Sequence, residues 1–312
     1  SSKNEVEISL VTGLNKIQVS CINSKGAESL KHTFDVDCSA TSVSNLYVIT
    51  VGTSAYQDKN FNLNYAAKDA IDIARLFEGR KGNFNKIYSK TLTDGDVVKS
   101  NFTDLKNFLR AAGVNDVVIV FIAGHGILDG ELDYYYGTHD INFTDPAKAG
   151  LKYNEIEAIL DGIKPLKKIL IMDTCHSGEV EKEEVEASNT PIESSDVVFR
   201  AVGPGLKQKE GASPTRMMNE LFNDLRRGTG STVIASAGGA EYAMESDEWK
   251  NGLFTYCFID GLKNAKADLN DDGKIMLSEL QTYVRGEVMK LSNGAQEPTT
   301  RIQNIALDYQ VW

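Results

Sequence analysis

The sequence lacks any apolar run near the roughly 18–20 residues that a bilayer-spanning helix needs, and no signal peptide opens it. A membrane is therefore not an expected partner. Cysteine is scarce, with four in 312 residues, too few for a disulfide framework. A reducing compartment follows, and the cytoplasm is the expected location. Cys21 and Cys38 are near enough in sequence to pair, and Cys257, inside the apolar stretch LFTYCFIDGL, reads as a small core residue. Positive charge is in deficit: 33 Lys and Arg against 44 Asp and Glu give a net charge of −11. That balance argues against nucleic acid and weakly favours cationic ligands. An initiator Met is also missing, since the chain opens on Ser1-Ser2, so further domains are expected upstream in a longer protein.

What is present fits a globular protein, with 41% hydrophobic and 25% charged residues. Residues 1–40 carry short strand-like segments (VEISLVTG, NKIQVSCIN, SLKHTFDVDC) and a turn at NSKG, without helical period. They resemble the end of an immunoglobulin-like domain; a leader without structure is the alternative. After a polar linker at 38–45, residues 45–312 alternate strands and helices. Strands are expected at 46–52, 86–92, 116–124, 167–175, 231–238 and near 301–307, and helices at 65–79, 97–113, 153–163, 252–263 and 277–291. Continuous apolar strands between helices imply an α/β fold, a mainly parallel sheet flanked by helices on both faces, with a short N-terminal β segment. Sites in such sheets form beyond the carboxyl ends of the strands. Between 179 and 213 the pattern dissolves into an acidic, then Gly-, Pro-, Ser- and Lys-rich loop, of a length usually tied to function or disorder.

Two strand ends carry chemistry. DVVIVFIA runs into Gly124-His125-Gly126, and KKILIM runs into Asp173-Thr174-Cys175-His176-Ser177-Gly178. Neighbouring strands lie about 4.8 Å apart, so two such ends bring imidazole and thiol into one crevice. A thiolate is the working nucleophile and the imidazole its proton partner. The N–H groups of Gly126 and Cys175 are the expected oxyanion hole. His176, adjacent to the nucleophile, points to the other face and reads as support; His32 and His139 read as surface groups.

The segments VIVFIAGHG and ILIMDTCHSGE resemble the His and Cys motifs of caspase-like peptidases, particularly metacaspases and their bacterial relatives, and a His about 50 residues before the Cys is a caspase trait. GLFTYCFIDGL and DLNDDGKIMLSELQTYV also resemble the distal half of bacterial members. The resemblance spans roughly residues 45 to 307. It implies a caspase–hemoglobinase fold and a Cys-His dyad at Cys175 and His125, with the His orienting and protonating the scissile amide.

Asp173 shares a strand face with Cys175, and a carboxylate there suits an Arg or Lys substrate side chain. In metacaspases an Asp in a motif like L-x-G-C-x-x-D forms the second wall of that pocket. Leu63 and Asp69 match it here, while Tyr65 and Ala66 stand where the Gly and Cys would. The alternative for Asp69 is a helix cap or ion pair. Aspartate-specific caspases place a Gln before the Cys and an Arg after the first strand; this chain has Asp173 and no Arg between Val51 and Ala74. Cleavage after Arg or Lys is the expectation. The 179–216 segment, with Lys182, Arg200, Lys207, Lys209 and Arg216, is then either a self-cleavage site or a surface insertion.

Asp268, Asn270, Asp272, Gly273, Lys274 at position 7, Ile275 and Glu279 fit the twelve-residue EF-hand spacing. The loop is either a Ca2+ site or a polar helix–helix turn. No cofactor is expected for the chemistry itself. The sequence thus points to a monomeric cysteine endopeptidase acting on protein or peptide substrates with basic residues, the alternative being a catalytically silent scaffold or binding module of the same fold.

Overall fold

The apolar runs build one sheet at the centre of the molecule. A computed structural model describes residues 5–40, 43–80, 84–129, 133–174, 197–199, 230–237, 243–302 and 308–312. A ribbon comes first, β1 (Gly13–Val19) paired antiparallel with β2 (His32–Cys38). β3 (Leu46–Gly52), α1 (Ala66–Glu78), β4 (Ile87–Thr93), α2 (Phe102–Leu109), β5 (Val117–Gly124), β6 (Gly126–Leu128) and β7 (Tyr134–Tyr136) follow. β8 (Leu151–Lys152), α3 (Tyr153–Leu160), β9 (Lys167–Thr174), β10 (Val197–Phe199), β11 (Thr232–Ala235), β12 (Met244–Ser246) and β13 (Asn251–Gly252) come next. α4 (Leu253–Lys263), α5 (Leu277–Leu291) and β14 (Thr299–Ile302) complete the order.

The main sheet runs β14-β11-β9-β5-β3-β4. Five strands are parallel, and only β14 runs antiparallel, at the edge. Every residue of β3 and β5 is buried, because a parallel sheet needs cover on both faces. Odd residues of β5 and β9 (Ile119, Phe121, Ile169, Ile171) pack in one core with Ala70 and Ile73 of α1, Phe254 and Phe258 of α4 and Leu280 of α5. Their even neighbours (Val118, Val120, Leu170, Met172) pack with Leu105 of α2 and Ile156 of α3. Helices therefore cover both faces, as the pattern requires. Among the described residues no helix is long and apolar enough to cross a membrane.

Several boundaries differ from the sequence pattern. α2 spans 102–109 rather than 97–113, because tight 3-10 turns at 94–96 and 99–101 precede it. Asp94 holds a left-handed backbone (φ 47°), and its Oδ1 accepts from the N–H groups of Ser54 and Ala55. Residues 5–12 form no strand; an extended segment without a neighbour has no ladder to join. Cys21 and Cys38 are free thiols. Cys38 pairs with Gly13 at one end of the ribbon, and Cys21 lies past Val19 at the other, the strand between those ends being about 20 Å long at 3.3 Å per residue. The expected final strand lies at 299–302, and 303–307 fall outside the described residues. Two small antiparallel sheets, β6-β7-β8 and β10-β12-β13, have strands of two or three residues, too short to leave a periodic signal.

Candidate active site

The register of two central strands organises the site. β5 and β9 pair in parallel from Val117↔Lys167 to Gly124↔Thr174. His125 follows directly on one strand, and Cys175 follows in sequence on the other. Cys175, His176 and the 179–216 segment, apart from β10, lie outside the described residues.

His125 is buried, at 3% exposure. Gly124 delivers it there with φ +148°, a backbone region open to glycine; a Cβ would also meet the Tyr56 hydroxyl at 3.0 Å and the Tyr136 ring at 3.1 Å. The Tyr56 hydroxyl accepts from the His125 N–H at 3.0 Å, and the His125 carbonyl accepts from the Gly137 N–H at 2.8 Å. The ring is packed among Tyr56 (5.1 Å), Phe143 (5.7 Å) and Phe61 (6.4 Å). Nε2 lies 2.8 Å from the Phe61 carbonyl oxygen. A carbonyl only accepts, so Nε2 carries a proton and Nδ1 is the nitrogen left to exchange one. Gly126 begins β6, buried, opposite Tyr136.

Polar side chains hold the neighbouring backbone. Tyr136 donates to the Ala123 carbonyl (2.8 Å) and bonds the Thr53 hydroxyl (2.8 Å). Tyr134 and Thr174 share a hydroxyl–hydroxyl bond of 2.8 Å. The last strand residue before Cys175 is thereby held against β7.

Asp173 sits opposite Ala123 with no exposed surface. Its Oδ2 accepts from the Thr255 hydroxyl at 2.6 Å. Asp69 is equally buried, in the first turn of α1. It accepts from the Asn251 side-chain amide (2.8 Å) and from the Gly252 N–H (3.1 and 3.2 Å to its two oxygens). Gly252 is the N-cap of α4 and Thr255 lies in its first turn. The two carboxylates predicted from sequence therefore meet the same turn of one helix. α1 comes this close because Gly52 ends β3 without a side chain; a Cβ there would lie 2.2 Å from the Ala66 carbonyl.

A third buried carboxylate, Glu245 on β12, accepts from the N–H groups of Asn64 (2.7 Å) and Tyr65 (3.4 Å) just before α1. Sequence reasoning missed it, together with Tyr56, Phe61, Asn251 and Thr255. Phe61 acts through its backbone, which no residue pattern reports. No sequence pattern marked Glu245, one of several acids in EYAMESDE. Beside it, the exposed Tyr65 hydroxyl donates to Asp247, whose carboxylate pushes its pKa up to about 12.

Cys257 is buried in α4, and burial pushes its thiol up to about 12, so it stays an inert thiol at neutral pH. His139 is half-buried, not a surface group, with Nδ1 2.6 Å from the Ala55 carbonyl; His32 is exposed.

The 268–279 loop lies apart from these residues. Asp268 accepts from the N–H groups of Asp272 (3.1 Å) and Gly273 (2.8 Å), Asn270 from Asp272 (2.9 Å), and Asp272 from Lys274 (2.9 Å). Glu279 accepts from the Met276 N–H at 2.9 Å and caps α5. Among the described residues no three Asp, Glu, His or Cys side chains converge as a metal-holding group.

Comparison with known proteins bears on the family and the fold. A solved structure of a Geobacter sulfurreducens protein superposes with a TM-score of 0.55 at 18% identity, covering 82% of this chain and 92% of that one. That likeness concerns the fold. No curated protein matches the chain. The family model of the caspase domain matches residues 46–309, from the first strand of the main sheet almost to the end. With a mostly parallel sheet covered on both faces and a short β ribbon ahead of it, the chain belongs to the caspase family.

Proposed function

We propose that the protein is a cysteine endopeptidase cleaving after Arg or Lys, with Cys175 as nucleophile and His125 as its proton partner. The observation that carries this reading is the β5–β9 register, Gly124 against Thr174, after which His125 and Cys175 are the next residues in sequence. The other thiols offer no competitor: Cys257 is buried with a raised pKa, Cys38 ends the ribbon's second strand and Cys21 lies just past its first, both ahead of the main sheet in sequence.

In this reading the Cys175 thiolate attacks the scissile carbonyl carbon. The backbone N–H groups of Gly126 and Cys175 receive the oxyanion. His125, held by its Nε2–H on the Phe61 carbonyl, delivers a proton from Nδ1 to the departing amine. Water then attacks the thioester, giving one proton to His125 and keeping the other on the released acid, and Cys175 returns as the thiolate. A substrate Arg or Lys is drawn by the carboxylates of Asp173 and Asp69. The same two carboxylates repel an acidic residue. Self-cleavage between 179 and 216 at Lys or Arg fits the same specificity, with two fragments expected from wild type and none from Cys175→Ala.

Labelling with an arginyl acyloxymethylketone tests the reading. Stoichiometric modification of Cys175 is expected in wild type, with loss of labelling in His125→Ala. Labelling that survives Cys175→Ala, or faster hydrolysis after Asp than after Arg in fluorogenic peptides, would overturn it.

A further inference from the structure

A cavity of about 720 Å³ opens between α1 and α4, away from the strand ends that carry His125 and Asp173. That volume lies within the range of sites for drug-sized ligands, about 300–1,000 Å³. Its lining includes Trp249 and Trp312, the two tryptophans of the whole chain, together with Tyr256 and Ile259 of α4. Aromatic rings concentrated at one concave place supply apolar contact at low entropic cost.

Its charges are unequal in kind. Two acids line it, and each is already neutralised: Asp72 pairs with Lys68 at 2.5 Å, and Asp260 pairs with Lys266 at 2.8 Å. Three cations line it as well, Arg75, Arg80 and Lys263, and none of them has an ion-pair partner among the described residues. Arg80 lays its guanidinium 4.5 Å from the centre of the Trp312 ring. Its buried Nε–H finds no acceptor among the described residues, a cost that an incoming acceptor removes. In a chain of net charge −11, three such cations beside two indoles run against the composition of the rest of the protein.

We infer that this cavity binds a carboxylate flanked by an apolar side chain, the chemistry of an acidic peptide segment. The guanidinium groups of Arg75 and Arg80 suit a carboxylate in a bidentate manner, and Lys263 adds charge across the opening. Trp249, Trp312 and Tyr256 receive the neighbouring apolar group. The half-exposed rim, with Arg75, Tyr256 and Lys263 all reachable by solvent, suits a side chain presented on a polypeptide. Asn251 lines the cavity and also donates to Asp69 at 2.8 Å, so the site adjoins the proposed substrate pocket, but Cys175 and His125 take no part in it.

Both tryptophans report on it directly. Titration of the whole protein with acetyl-Phe-Glu-Glu-Leu-amide, which has no Arg or Lys to be cleaved, is expected to change tryptophan emission saturably. The Gln-for-Glu version of the peptide is expected to bind about tenfold more weakly or worse, as is the double variant Arg75→Gln, Lys263→Gln. Both substituted residues are exposed, so an unchanged melting temperature is expected. Free glutarate distinguishes the source of the carboxylate. Binding as tight as the peptide's assigns the site to small acids, and peptide-only binding assigns it to a polypeptide partner. No saturable change at millimolar peptide, or equal affinity for the Gln peptide, overturns the inference.

Discussion

Two groups of acidic residues in this molecule are treated in opposite ways. Asp69, Asp173 and Glu245 have no exposed surface, and each bonds a residue far away in sequence: Gly252, Thr255 and Asn64. Asp268 and Asp272, with the amide of Asn270 between them, lie in a largely exposed loop and accept from N–H groups two to five residues on. Burying a carboxylate is costly unless it is bonded, so the first group exists only because the fold brings donors to it. The second would form in almost any context, since Asp and Asn close turns with their own backbone. Acid content alone therefore says little. Burial and the reach of the bonds set the two groups apart.

The largest expected effect tests the buried group. Asp173→Ala is expected to lower kcat/KM for an Arg-directed fluorogenic peptide by about 100-fold or more, an effect of roughly 3 kcal/mol. Asp173→Ala with unimpaired Arg cleavage would break the comparison, leaving Asp173 a purely structural partner of Thr255.

Asp69→Ala comes next. It strands the buried Gly252 N–H and removes one of the two acceptors of the Asn251 amide, the other being Asp72 at 3.0 Å, so a loss of about 2 kcal/mol is expected, read as a fall in melting temperature of several degrees. Restoration of stability by Asp69→Asn without restored Arg cleavage would divide the bonding role of this residue from its charge.

In the exposed loop, Asp268→Ala is expected to cost only about 1 kcal/mol and to leave peptide hydrolysis unchanged. The comparison fails if millimolar calcium raises the melting temperature of wild type and not of this variant, because the loop would then be an ion site.

The smallest effect concerns a buried cation. Lys168 is buried, donates to the Leu160 carbonyl at 3.4 Å, and has its pKa lowered by burial. A lowered folded pKa means that the charged form is disfavoured in the fold. The penalty is full below that pKa and fades as pH rises towards 10.5. Lys168→Met is expected to stabilise slightly at neutral pH, with the gain shrinking above the folded pKa in thermal melts across pH.

Much of the main sheet was legible because its strands are unbroken apolar runs. VVIVFIA and KKILIM have one fate in water, burial on both faces. The strand ends were legible for the same reason: a run that stops at Gly-His-Gly or Asp-Thr-Cys leaves its polar residues at the sheet's rim. The three-residue strands β6 and β7 were not legible, since so few residues hold no period. Neither was the Phe61 carbonyl that holds His125, nor Glu245, whose donors at Asn64 and Tyr65 are 181 and 180 residues away. Cys21 and Cys38 show the reverse error. Nearness in sequence suggested a pair, but an extended ribbon separates its own ends.

By itself, the sequence determined the parallel sheet with its helices, the strand that delivers His125, and the acidic residue placed before Cys175. These follow from local hydrophobicity and strand alternation, which neighbouring residues settle between them. Only the tertiary structure decided the β5–β9 register, the nitrogen of His125 left to exchange a proton, and the turn of α4 that gathers Asp69 and Asp173. Each depends on hydrogen bonds between segments distant in the chain, and such bonds form where packing in three dimensions brings donor to acceptor.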